Sequence, residues 1–81
     1  MISVQVLGPG CANCEKVQEI ARRVVTTLNV EATIVKVTDR SVWQKYGLLS
    51  TPGLVVDDKL VCGGRIPSEA EVTTWITSAL A

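Results

Sequence analysis

The stretch Ile2-Ser-Val-Gln-Val-Leu-Gly-Pro-Gly-Cys-Ala-Asn-Cys14 decides how this chain folds. Its apolar, β-branched first half predicts a strand that ends at Leu7, and Gly8-Pro9-Gly10 breaks that strand. An amphipathic helix is predicted to open at Cys11 and Cys14. A thiolate at a helix N-terminus lies beside unpaired N–H groups and the positive end of the helix dipole, and both lower the pKa of the thiol. The motif therefore predicts cysteines suited to thiol chemistry.

Composition limits the possible functions of this chain. With 81 residues, 47% of them hydrophobic, the sequence predicts a single domain over residues 1–81. Eight basic and eight acidic residues are spread along the chain without a basic stripe, which argues against nucleic acid and membrane partners. No leader pattern is present, and no window approaches the roughly 20 apolar residues of a spanning helix. We expect a cytoplasmic protein.

The titratable residues narrow the chemistry further. The chain has no histidine, which excludes a Cys-His or Ser-His pair and an imidazole metal ligand. Its three cysteines are an odd number, which argues against a secreted disulfide framework. A C-x-x-C pair close to a strand–helix–strand pattern favours redox or metal chemistry.

The remaining elements follow from periodicity and turn signals. Helical spacing of apolar residues predicts a helix from the cysteine pair to Leu28, with Asn29 as its stop. The segment Glu31–Val37 is a predicted strand, so the first three elements form a right-handed βαβ unit with parallel strands. Thr38 or Asp39 is expected to cap a short helix that ends at Gly47.

The C-terminal half is predicted as a hairpin and a helix. Gly53–Asp57 and Leu60–Cys62 are the two strands, with Asp58-Lys59 as the turn. Ser68 and Glu71 have the spacing of a capping box, which opens a last helix that runs to Leu80. The order is βαβ-α-ββα, which predicts an α/β fold with a four-stranded mixed sheet and three helices able to cover both faces.

This order resembles the thioredoxin fold, because C-x-x-C follows the first strand and Thr51-Pro52 precedes the third. More narrowly, the segments 8–14, 51–53 and 64–68 resemble the small thioredoxin-like, glutaredoxin-like redox-active disulfide proteins of archaea and bacteria. The resemblance implies a thiol–disulfide oxidoreductase or electron carrier that needs no cofactor. It also implies a disulfide-containing protein substrate and a reductase or low-molecular-weight thiol for recycling. We expect a monomer.

Within this resemblance the two cysteines of the motif take different roles. Cys11 is flanked by glycine and alanine, which leave it open, and is the predicted nucleophile. Cys14 lies one helical turn further along and is the predicted resolving thiol.

Four further residues are candidate substrate-binding groups. The fold resemblance implies a cis bond before Pro52 and a Thr51 backbone free to pair with an extended substrate; a trans proline that begins a strand is the alternative. Gly63 and Gly64 permit close approach of a substrate backbone, although a simple strand exit explains them as well.

Cys62 has two interpretations. It is either a small buried apolar residue or a third redox thiol that exchanges with the motif cysteines. In a regular strand it would lie on the same face as Leu60.

The sequence also departs from the relatives that it resembles. Gly10 stands where thioredoxins usually have tryptophan, and Ala12-Asn13 replaces Gly-Pro between the cysteines. The buried acid of thioredoxins is matched by Gln5, which cannot accept a proton. Arg65 follows the glycine pair where glutaredoxins have an acidic residue, which argues against glutathione binding.

Two other functions remain open at this stage. A soft-metal-binding module or chaperone, such as a copper chaperone, also has C-x-x-C after its first strand, although such domains run βαββαβ and end in a strand. A structural zinc site normally needs four ligands, and three cysteines without histidine fall short. The third possibility is an interaction domain whose thiols are silent.

Overall fold

The computed structural model describes residues 2–10 and 12–80 and has the predicted element order. None of the helices in these two ranges is long and apolar enough to cross a membrane. The elements are β1 (Ile2–Leu7), α1 (Ala12–Thr27), β2 (Ala32–Val37), α2 (Arg40–Lys45), β3 (Gly53–Val56), β4 (Lys59–Gly63) and α3 (Glu69–Leu80).

The four strands form one mixed sheet, as predicted, and their order in it is β2-β1-β3-β4. β1 pairs in parallel with β2 and antiparallel with β3, and β3 pairs antiparallel with β4. Because Leu7 at the end of β1 pairs with Gly53 at the start of β3, the segment after β1 and the segment before β3 meet at one edge.

The main core lies between one face of the sheet and the helices α1 and α3. Alternate residues of β1 point to this face, since successive side chains of a strand point to opposite sides. The two helices also contact each other, and Arg23 of α1 pairs with Glu69 of α3 at 3.2 Å. Buried residues of this core include Val4, Val6, Val17, Ala21, Val24, Leu54, Val56, Val72 and Ile76.

Helix α2 lies on the opposite face, so helices cover both sides of the sheet. Gln5 alternates with the core residues of β1, and its Nε2 donates to the Tyr46 hydroxyl at 3.3 Å. The indole N–H of Trp43 donates to the Val37 carbonyl at 2.9 Å. Asp39 is the N-cap of this helix, and its carboxylate accepts from the Ser41 N–H. The hydrogen bonds to Ser41 lower the pKa of Asp39.

The hairpin differs from the prediction at its turn. The turn residues are Asp57 and Asp58, one position earlier than predicted, with φ of 47° and 67°. Positive φ at both central residues is the geometry of a type I′ turn, which matches the twist of the flanking strands. Asp57 also pairs with Ser3: its N–H donates to the Ser3 carbonyl at 2.8 Å, and its carboxylate accepts from the Ser3 N–H at 2.9 Å.

A register shift in β4 corrects the prediction for Cys62. Leu54 pairs with Cys62 whereas Val55 pairs with Leu60, so Val61 is the extra residue of a β-bulge. Leu54 and Val55 point to opposite faces, and their partners therefore do as well. Cys62 faces the core and not the side of Leu60.

Candidate active site

Cys14 is the motif cysteine that the structure describes. It lies in the first turn of α1 and is fully buried within the core. Its sulfur packs directly against Gly8, the residue after β1, so closely that a Cβ at position 8 would overlap the sulfur. Cys11 lies outside the described residues, and its predicted role stays a prediction.

Thr51 reaches the same place from a distant part of the sequence. A Cβ built on Gly8 would lie 3.8 Å from the Thr51 Cβ and 3.4 Å from the Cys14 Cβ. The end of β1, the start of α1 and the segment before β3 therefore meet at one point. The pairing of Leu7 with Gly53 produces this meeting, because it aligns the two adjoining segments.

The peptide bond between Thr51 and Pro52 is cis, as the resemblance implied. Pro52 is buried and Thr51 is half-buried. The Pro52 carbonyl accepts from the Gly64 N–H at 2.9 Å, which fixes the segment to the loop after β4. Between described residues, none of the backbone hydrogen bonds outside helices and strands involves Thr51.

Gly63 and Gly64 contact the chain itself at this edge. A Cβ on Gly63 would lie 2.8 Å from a Leu48 methyl carbon, and one on Gly64 would lie 3.2 Å from the Ser50 Cβ. Gly64 also has a φ of +77°, which favours glycine. Positive φ and close packing against Ser50 explain Gly64 without a bound substrate, and the substrate-binding role of both glycines stays a prediction.

Cys62 lies in the core. It is 7% exposed, and its thiol donates to the Arg65 carbonyl at 3.7 Å. Burial raises the pKa of the Cys62 thiol, and the Arg65 guanidinium offsets only part of that rise. A thiol that stays protonated is a poor nucleophile.

Gln5 makes a polar contact with Tyr46 on the face of the sheet that α2 covers. Besides the bond from Gln5, the Tyr46 hydroxyl donates to the Asp58 carboxylate at 3.1 Å. An amide at position 5 therefore takes part in a hydrogen-bonded chain that ends at the β3–β4 turn.

A four-stranded mixed sheet, three helices and a cis Thr51–Pro52 bond, with Thr51 and Cys14 both packed around Gly8, define a thioredoxin-fold domain. A family model described as "Thioredoxin domain" matches residues 2–77. The chain belongs to this family.

Curated relatives agree with the family assignment. A thioredoxin of Methanothermobacter thermautotrophicus is 36% identical over 72 residues, which cover 89% of this chain and 94% of the relative. A thioredoxin of Methanocaldococcus jannaschii is 35% identical over 80 residues, covering 99% and 92%. Because the chain belongs to the thioredoxin family, it is a thiol–disulfide oxidoreductase.

Sequence reasoning missed the part that Gly8 plays. A strand break is all that the local sequence indicates for this glycine, whereas its missing side chain makes room for the Cys14 sulfur. The position of a glycine between a buried strand and a C-x-x-C helix is the signal that points to close packing.

Proposed function

We propose that this oxidoreductase exchanges disulfides with proteins through Cys11 as nucleophile and Cys14 as resolving thiol. The burial of Cys14 in the first turn of α1, against Gly8 and beside Thr51, is the observation that carries the proposal. A resolving thiol has to be shielded from outside disulfides and must lie within one helical turn of the nucleophile.

The reaction consists of two exchanges. The Cys11 thiolate attacks one sulfur of the substrate disulfide, forms a mixed disulfide and releases the other substrate sulfur as a thiolate, which takes up a proton. Cys14 then loses its proton, and its thiolate attacks the Cys11 sulfur. The Cys11–Cys14 disulfide forms and the second substrate thiol leaves. Two electrons pass from the dithiol to the substrate, and an external dithiol reductase or small thiol restores the reduced pair.

Thr51 is the proposed docking point for the substrate backbone. Like Cys14 it packs close to Gly8, and its backbone has no partner in the loop hydrogen bonds between described residues. An extended substrate segment pairs with such a backbone as an added strand does. Gly63 and Gly64 serve this proposal indirectly, because they let the neighbouring loop pack beneath Ser50 and Pro52.

We assign Cys62 a structural role. Its burial, its core-facing register and its raised pKa all disfavour exchange. The soft-metal alternative is disfavoured by the element order, because the helix α2 follows β2 where βαββαβ domains have a strand. A monomeric single domain in the cytoplasm is part of the same proposal and stays a prediction.

Single-cysteine variants test the proposal. With insulin as the disulfide substrate and dithiothreitol as the reductant, Cys11→Ser abolishes turnover above the uncatalysed rate, because the attacking sulfur is removed. Cys14→Ser, reduced and then freed of dithiothreitol before insulin is added, traps a covalent mixed disulfide with the substrate that is visible on a non-reducing gel. Cys62→Ala is the matched control and keeps the parent rate.

Other results would contradict these roles. Turnover that survives Cys11→Ser, or that is lost in a folded Cys62→Ala, refutes the assignment. One equivalent of tightly bound copper or zinc in protein purified under reducing conditions, with no insulin reduction, favours the metal-binding function.

A further inference from the structure

The loop from Gly64 to Ser68, which joins β4 to α3, supports the segment that carries Thr51. The Gly64 N–H donates to the Pro52 carbonyl at 2.9 Å, and Gly64 packs closely against Ser50. The position of the 64–68 loop therefore sets the position of the cis-proline segment.

Arg65 is held in this loop from two sides. Its carbonyl accepts from the Cys62 thiol at 3.7 Å. Its guanidinium forms a fork with the Glu71 carboxylate: Nη1 donates to Oε1 at 2.9 Å, and Nη2 donates to Oε2 at 2.6 Å. Two parallel bonds of this kind fix orientation as well as distance.

Glu71 joins the far end of the loop as well. Its Oε1 accepts from the Ser68 N–H at 3.1 Å and from the Ser68 hydroxyl at 3.3 Å. In return, the Glu71 N–H donates to the Ser68 Oγ at 3.2 Å. This is a capping box, which on its own would need only the bonds to Ser68. The fork to Arg65 is additional, and it ties the two ends of the 64–68 loop to one carboxylate.

We propose that Glu71 is a positioning residue which, through Arg65, holds the 64–68 loop against Pro52 and so fixes Thr51 for docking of a protein substrate. The inference rests on the proposed function, since it concerns the same docking segment. The inference predicts that loss of the Arg65–Glu71 fork weakens binding of substrates that pair with Thr51. Small disulfides, which reach only the cysteine pair, are then unaffected.

A set of charge-neutralising variants separates this role from helix capping. Glu71→Gln removes the ionic fork but keeps the capping box, because glutamine serves at this position too. Arg65→Gln removes the fork from the other side. Glu69→Gln is the matched control: it neutralises an acid in the same first turn of α3, but that acid pairs with Arg23.

Each variant is assayed with insulin and with a small aromatic disulfide, dithiobisnitrobenzoate. Since an exposed ion pair contributes modestly, Glu71→Gln and Arg65→Gln raise KM for insulin roughly three- to fivefold with kcat unchanged. The double variant shows no further rise, because both changes remove one interaction. Rates with the small disulfide, and all parameters of Glu69→Gln, stay at parent values.

Three outcomes overturn the inference: an unchanged KM for insulin in Glu71→Gln, an equal loss with both substrates, or the same effect in Glu69→Gln. Failure of the proposed function appears differently, as a parent protein that reduces neither substrate.

Discussion

Gly8 determines where the sulfur of Cys14 can lie. It follows β1 directly, and its N–H donates to the Val37 carbonyl at 3.0 Å, so the backbone at this point is fixed to the sheet. Cys14 is fully buried within the core, so its sulfur can shift only against packed neighbours. The absence of a side chain at position 8 is therefore a requirement of the site and not only of the turn.

Gly8→Ala tests this requirement. The added methyl overlaps the Cys14 sulfur, so we expect the free energy of unfolding to fall by about 1–3 kcal/mol, as in other overpacked cores. Chemical denaturation measures this loss, and we also expect slower insulin reduction. Pro9→Ala, at the exposed neighbouring residue, is the control. Parent stability and parent rate in Gly8→Ala would contradict the packing argument.

At the scale of the element, helix α1 has the candidate site at its N-terminus and a regular C-terminal cap at Asn29. Asn29 has a φ of 55°. Its N–H donates to the Thr26 carbonyl at 3.1 Å, and the Val30 N–H donates to the Val25 carbonyl at 3.0 Å. These two bonds are the Schellman motif, which satisfies carbonyls at the helix end.

Substitutions at Asn29 are expected to change stability and leave exchange unchanged. Asn29→Val lowers the free energy of unfolding by about 1–2 kcal/mol, because a β-branched residue is strained at positive φ. Asn29→Gly raises it by up to about 1 kcal/mol. Thermal unfolding measures both, and insulin reduction stays at the parent rate because Cys14 lies at the other end of α1. If Asn29→Val were more stable than Asn29→Gly, the Schellman motif at the end of α1 would not be formed in solution.

At the scale of the whole molecule, local signals predicted the elements and distant contacts were harder to foresee. The Ser68–Glu71 capping box and the helix end at Asn29 depend only on residues close together in the sequence. The predicted helix ends therefore agree with the observed ones to within a residue or two. The cis bond at Pro52 was expected only because of the resemblance to thioredoxins.

Features that depend on pairing across the sheet were missed. The bulge at Val61 turns Cys62 toward the core, and it depends on the register between β3 and β4, which a single strand does not specify. The fork between Arg65 and Glu71 and the packing of Gly8 on Cys14 likewise need the assembled fold.

Mapping of the disulfide in protein equilibrated in graded thiol–disulfide buffers tests the central claim most directly. Free thiols are alkylated under native conditions and bridged peptides are identified by mass. The account predicts one bridge, between Cys11 and Cys14, that forms in a single two-electron step while Cys62 resists alkylation until the protein unfolds. A bridge that includes Cys62, or a motif pair that stays reduced across the whole range of buffers, would contradict it.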